Sequence, residues 1–271
     1  MSNKFLHRDD APFDDKVWKS IDEVVVGAAK SQLTARRLLH VEGPYGLGLK
    51  QIPKSDKISE GQDGLTIAVS PSLPVVDIRQ AFTIPARDIA AFEQSGTLLG
   101  LESAAQAAIA CARKENELLL SGSKSLGVNG LLTAKGTQSL QLQAWSKIGS
   151  AADDLISGVT MLDNAGFRGP YVLGLSPKFY NLLYRRYPQG NMTEMDQLGS
   201  IVGGIVKTSG MEVAGVLLAS GRQFASIVLG QDLMTGFLGP SEAGYELVVS
   251  ESLALRLVEP RAVCVLKEAQ K

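Results

Sequence analysis

The chain has 271 residues, 45% of them hydrophobic, enough to bury a core as one large or two small domains without disulfide staples. Lys and Arg number 27 against 28 Asp and Glu, a net charge of −1, so no general field draws in nucleic acid or an anionic membrane. Cys111 and Cys264 are the only cysteines and lie in apolar surroundings, which suits buried thiols in a reducing compartment.

The leader, MSNKFLHRDDAPFDD, has no apolar signal core, and no apolar run reaches the roughly 18 residues of a membrane span, so a cytoplasmic location is expected. Asp14 and Asp15 put negative charge where a helix start favours it. Trp18, Ile21, Val25, Ala28 or Ala29, and Leu33 form one stripe, which predicts an amphipathic helix. Arg36 and Arg37 lie near its end, and Gly43, Pro44, Gly46 and Gly48 rule out its continuation. Gly46 and Gly48 start a G-x-G, but no third glycine or helix follows, so no dinucleotide site is expected. From Leu49 to Leu73 the chain is polar and rich in breakers, with Leu65, Ile67 and Val69 its one alternation. Such a segment is either a mobile surface loop or a β-arm that finds its core on another subunit. Val76, Ile78, Phe82 and Ile84 then alternate with Asp77, Arg79, Ala81 and Thr83, a strand expected to lie along the helix that follows.

That helix organises the chain. Leu101 to Leu120 reads LESAAQAAIACARKENELLL without proline or glycine, and Gly122 follows. Leu101, Ala104, Ala105, Ala108, Cys111, Ala112, Glu115, Leu118 and Leu119 recur at helical spacing, with Glu102, Gln106, Arg113 and Asn116 mostly off the stripe. The result is a rod of about 30 Å whose alanine-rich middle admits close approach, a spine for sheets. SGSKSLGVNGLL looks like a nucleotide loop but lacks G-x-x-x-x-G-K-[ST] and reads as structural.

From about Lys135 an α/β or α+β lobe is expected, with a helix around Ala151 to Leu162 closed by Gly166. A strand over Tyr171 to Leu175 and a helix from Ser176-Pro177 through Tyr184 follow. After the loop YPQGNMTEMDQ come a helix around Leu198 to Val206 and strands over Met211 to Ala219 and Phe224 to Leu229. Tyr245 to Val258 and Ala262 to Leu266 close the chain.

No active site emerges. Ser176 follows a strand, yet Pro177 and Lys178 replace the rest of a G-x-S-x-G elbow, so it reads as a helix cap. His7 and His40 have no second ligand at i+3 or i+4. Asp153-Asp154 and Glu115/Glu117 do not share helix faces and read as solvated or capping charge. Basic residues are scattered and aromatics make up only 6%, which leaves no stacking platform for nucleic acid.

The ordered motifs are more informative: FLHRDDAP, RRLLHVEGPYGLG, SLPVVDIRQAFTI, GVNGLL, GPYVL and GQDLMTGF. In this order they resemble encapsulins, prokaryotic nanocompartment shell proteins related to the major capsid proteins of tailed phages, and the resemblance covers nearly the whole chain. It implies an α+β fold of the tailed-phage major capsid type. Residues 1–48, 74–134 and 222–271 would form the P-domain, 49–73 the E-loop and 135–221 the A-domain. It implies no enzyme activity, no cofactor and no metal site. A homo-oligomeric icosahedral shell, of the smallest class, would enclose a ferritin-like iron oxidase or dye-decolorizing peroxidase through that cargo's C-terminal peptide.

For the peptide dock, the resemblance points to Ala29, Leu33, Arg36 and His40 and to Leu233, Thr235 and Phe237. His40 stands where relatives carry an aspartate, so a charge contact is lost or made pH-dependent. For a pore at the fivefold axes it points to Tyr187, Pro188, Gln189, Gly190, Asn191, Met192, Glu194 and Asp196, with Glu194 and Asp196 expected as a carboxylate ring that favours ferrous iron. A phage or prophage capsid protein would share the fold, and an α/β enzyme with an atypical site is the non-structural alternative.

Overall fold

The computed structural model describes residues 4–60, 65–188 and 190–268. Contacts group the chain into two compact units: Met1–Gln32, Glu42–Ala112 and Val228–Ala254 in one, and Leu33–Val41, Arg113–Ile227 and Leu255–Lys271 in the other.

In the first unit, the helix Asp15–Lys30 buries Val17, Trp18, Ile21, Val25 and Ala29 on the expected stripe. It stops earlier than the periodicity predicts. Leu33 lies beyond it, and Arg36 and Arg37 belong to a separate 3-10 turn, Ala35–Arg37. The strand Val76–Ile84 forms as predicted and runs antiparallel to Gly244–Leu257, from Tyr245 opposite Ile84 to Leu253 opposite Val76. The other edge of that long strand pairs with Met234–Ser241, which periodicity does not reveal. The spine helix, Glu102–Leu120, matches the expected span within one residue. Its Ser103 Oγ donates to the Thr83 carbonyl at 3.0 Å and its Cys111 Sγ to the Val249 carbonyl at 3.6 Å, so it lies along both strands. The helix Ala86–Ser95 was not legible, because Ile89 is its one buried side chain and gives no period.

The segment between them is a β-arm. Gln51–Pro53 pairs with Ser72–Pro74 at its base, and Lys57–Glu60 pairs with Thr66–Val69 further out. Leu65, Ile67 and Val69 alternate as read from the sequence, yet each is more than half exposed, at 62%, 55% and 59%.

The second unit holds a mixed five-stranded sheet in the order Gly204–Lys207, Tyr171–Leu175, Gly215–Ala219, Val263–Lys267, Gln138–Gln141. The helix Ser150–Asn164 packs on it, with Leu155, Leu162, Leu173, Leu217, Phe167, Phe179 and Cys264 in one core. Two expectations need correction. The helix predicted around Leu198 to Val206 is Glu194–Gly199, and Gly204–Lys207 is a strand. Thr193 and Asp196 form a capping box that starts the helix early, and β-branched Ile205 and Val206 suit a strand. The strand expected from Met211 begins at Gly215. At the spine terminus, Gly122 has φ 75 and a Cβ there would lie 2.4 Å from the Val128 carbonyl, so only glycine fits.

Both cysteines are buried and free. Burial pushes the Cys111 thiol up from 9.0 to about 12, with Glu251 adding to the shift, and the Cys264 thiol up to about 11. A raised folded-state pKa gives stability that is complete below the unfolded pKa and lost as pH rises past it. The native protein is therefore expected to show no thiol reactive toward Ellman's reagent at pH 8 and two after denaturation. Its urea midpoint is expected to fall between pH 8 and pH 10.5; a native thiol that reacts at once would contradict this burial.

Candidate functional site

Three places carry the residues to which the sequence pointed. The first is the segment after the opening helix, in the second unit. Arg36 Nε bonds both oxygens of Glu115 at 2.9 and 3.0 Å, and its Nη2 lies 2.6 Å from Oε2. Glu115 is fully buried, which corrects its reading as solvated or capping charge. At the next residue, Asn116 Oδ1 accepts from the Ala35 amide at 2.9 Å, and Asn116 too is interior. Leu38 packs against the backbone at Gly174, where a Cβ would come within 2.9 Å of it. The segment is thus pinned to the end of the spine helix by a buried ion pair. Leu33 stays half-buried and His40 exposed.

The second place, in the first unit, is the strand Met234–Ser241 with the leader over it. Leu6 is buried close above Gly236, where a Cβ would lie 3.0 Å from the Leu6 carbonyl oxygen. Arg8 holds Asp22 through two hydrogen bonds of 3.2 and 2.7 Å and stacks 4.0 Å from the Trp18 ring centroid. Phe13 contacts Trp18, Phe237 and Tyr245 at centroid separations of 5.1, 6.0 and 5.6 Å. Four residues carried over as peptide contacts, Ala29, Leu233, Thr235 and Phe237, are therefore interior in this chain. The Thr235 hydroxyl has no hydrogen-bond partner among the described residues. Gln231 was missed: its amide N–H donates to Ser252 Oγ at 2.8 Å and its side chain to Ser250 Oγ at 3.0 Å, fixing the turn before the strand.

The third place, in the second unit, is the loop ahead of Glu194–Gly199. Arg186 and Thr193 form a β-bridge, and the Tyr187 amide donates to the Met192 carbonyl at 3.0 Å, which closes a small hairpin. Pro188, Gly190, Asn191 and Met192 are exposed at its end, Tyr187 is half-buried, and Gln189 lies outside the described residues. Glu194 is fully buried, contrary to its expected place in an exposed carboxylate ring. Its Oε1 accepts from the Gly149 amide at 2.8 Å and its Oε2 from Arg185 Nε at 2.9 Å, while Arg185 Nη1 donates to the Trp145 carbonyl at 2.7 Å. Asp196 is exposed, but its carboxylate accepts from both the Thr193 amide, at 2.8 Å, and the Thr193 hydroxyl, at 2.7 Å. Those bonds hold its pKa below the ordinary carboxylate value.

Elsewhere, Asp154 is buried and accepts from Trp145 Nε1 at 2.8 Å and the Gln143 amide at 2.9 Å, a further correction to solvated charge. Ser176 occupies the N-cap position of Pro177–Leu182 without a side-chain cap bond. Among the described residues, no three His, Cys, Asp or Glu side chains gather as a metal site, and no helix is long and apolar enough to cross a membrane.

Residues 3–254 match the family model Linocin_M18, described as encapsulating protein for peroxidase. A type 1 encapsulin shell protein of Myxococcus xanthus is 29% identical over 278 residues, spanning 98% of this chain and 97% of that one. A virus-like particle from Pyrococcus furiosus superposes with a TM-score of 0.74 at 22% identity, over 93% of this chain and 99% of that chain. The capsid of Myoviridae phage XM1 gives 0.63 at 16% identity, over 88% and 92%. The phage-capsid fold implied by the motifs is the fold of this chain.

Removing one partner of a buried ion pair strands the other charge and costs about 3 to 5 kcal/mol. Glu115→Ala is therefore expected to lower the urea-unfolding free energy by about 3 kcal/mol, and the apolar pair Arg36→Met with Glu115→Leu to recover most of the loss. An unchanged midpoint in Glu115→Ala would show that the pair contributes nothing.

Proposed function

The chain belongs to the Linocin_M18 family of encapsulating proteins, and from that membership we propose that it is the wall of a closed compartment. Copies assemble into an icosahedral shell of the smallest class in the cytoplasm and enclose a cargo enzyme, a peroxidase or a ferritin-like iron oxidase. The observation that carries this reading is the arm. Its outer hairpin exposes Ile58, Leu65, Ile67 and Val69, and a lone two-stranded hairpin is marginal in water. Such an element is stabilised when a neighbouring copy covers it, and cyclic or polyhedral symmetry supplies that cover to every copy at once.

The cargo binds as a short C-terminal peptide on the inner face of the shell. Of the residues carried over for that dock, Leu33, Arg36 and His40 are not fully buried and share one unit. Arg36 is committed to Glu115, so Leu33 and His40 are the contacts on offer, with Ala29, Leu233, Thr235 and Phe237 serving the interior. Burying one aliphatic side chain gives about 1.5 to 3 kcal/mol, a weak contact multiplied by many sites on one shell. The hairpin tips around Asn191 converge on the fivefold openings and admit the cargo's substrate.

Purified full-length protein is expected to sediment as one closed particle. Replacement of residues 55–70 by a short Gly-Ser link should leave a cooperatively melting chain that forms no closed shell. Particles of unchanged size in that variant would reduce the arm to a surface loop. Leu33→Asp is expected to yield whole shells with at least about tenfold less co-purified cargo, and full occupancy would move the dock elsewhere.

A further inference from the structure

The tip gains its shape from charge but presents almost none. Residues 187–193 read YPQGNMT, without an acid, a lysine, an arginine or a histidine. The glutamate that follows them is withdrawn into the base, where Gly149 and Arg185 take its two oxygens. That pair, with the Arg185 bond to the Trp145 carbonyl, fixes the two ends of the hairpin to one another and to the segment before Ser150–Asn164. The exposed charges beside the hairpin are of both signs, Arg186 against Asp196 and Asp153. Around Tyr187 the signs are mixed as well, Glu194 and Asp153 against Arg185.

A ring of like charges at a narrow opening raises the local concentration of the counter-ion and lowers that of the co-ion. A ring built from amide, thioether and glycine does neither. From this geometry we infer that the rim sorts solutes by size and hydrogen bonding and not by the sign of their charge. The inference rests on the proposed convergence of the tips around an opening. It follows that the shell does not reserve its interior for metal cations: small neutral and anionic substrates enter on equal terms, and Asn191 is the position where selectivity can be written. The Arg185–Glu194 pair acts as a positioning element, holding the rim without lining it.

The test uses intact shells of the full chain, reassembled around a neutral dextran that carries a fluorophore and checked for closure by negative stain. Stopped-flow quenching by iodide, caesium and acrylamide then reports entry of an anion, a cation and a neutral solute. Wild-type rates for iodide and caesium are expected to agree within about threefold, whereas Asn191→Asp should favour caesium and Asn191→Lys should favour iodide by about tenfold each. A wild-type caesium preference as large as that of Asn191→Asp would overturn the inference while leaving the opening in place. If neither variant shifts the ratio, the tip does not line the path, and both the opening and the inference built on it fall.

Discussion

A sheet can approach a helix more closely when the contact face is alanine than when it is leucine, because nothing extends beyond Cβ. Ala104, Ala107, Ala108, Cys111 and Ala112 give the spine helix such a face, and all are nearly inaccessible. At that range the helix bonds directly to sheet backbone through Ser103 and Cys111. Additional methylenes in a packed core typically cost about 1 to 3 kcal/mol, so the alanines constrain the fold more than they express helix preference. The strands that receive these bonds, Val76–Ile84 and Gly244–Leu257, are paired over nine positions, and that register turns Ile78, Phe82 and Ile84 inward together.

The arm depends on the same strand. Its base continues from Val76–Ile84 through Ser72–Pro74, and backbone bonds from Val75 to Lys50 and from Lys54 to Pro71 tie its two legs at 3.0 and 2.9 Å. Further out no core is available, and every side chain described in Thr66–Val69 is exposed. Among the described residues the base is tied by backbone bonds and leads into the strand Val76–Ile84, whereas the apolar side chains further out stay exposed.

Elements whose signal lies in their own residues were legible. The spine, the strand Val76–Ile84 and the strand Tyr171–Leu175 each carry a period or an apolar run between breakers, and each forms where the pattern puts it. The alternative left open for residues 49–73 resolves to a β-arm, because alternation at Leu65, Ile67 and Val69 is a strand signal even without burial. The buried charges were not legible. Glu115 meets Arg36 across 79 positions and Glu194 meets Gly149 across 45, and nothing near a carboxylate in sequence announces a partner that distant. One hint was present, since Glu115 falls on the apolar stripe of the spine where a solvated charge has no place. The Thr193-x-x-Asp196 spacing was a second, and it marks the helix start that apolar periodicity puts four residues late.

Resemblance carries positions from relatives but does not carry accessibility, and here the two part in a consistent way. Phe237 keeps its place in the motif, yet Phe13 and Tyr245 pack against it; Glu194 keeps its place beside the tip, yet Arg185 and Gly149 absorb it. Arg36 and Arg185 do the same work in two loops: each buries a carboxylate, and the remaining donors or neighbouring amides hold backbone. In both loops the carboxylate charge spent inside is absent from the surface. On the proposed function, the uncharged tip is the part that faces solutes and the apolar arm the part that faces neighbouring copies. A wall needs that division, because contacts between copies must be strong while passage through the wall stays weakly interacting.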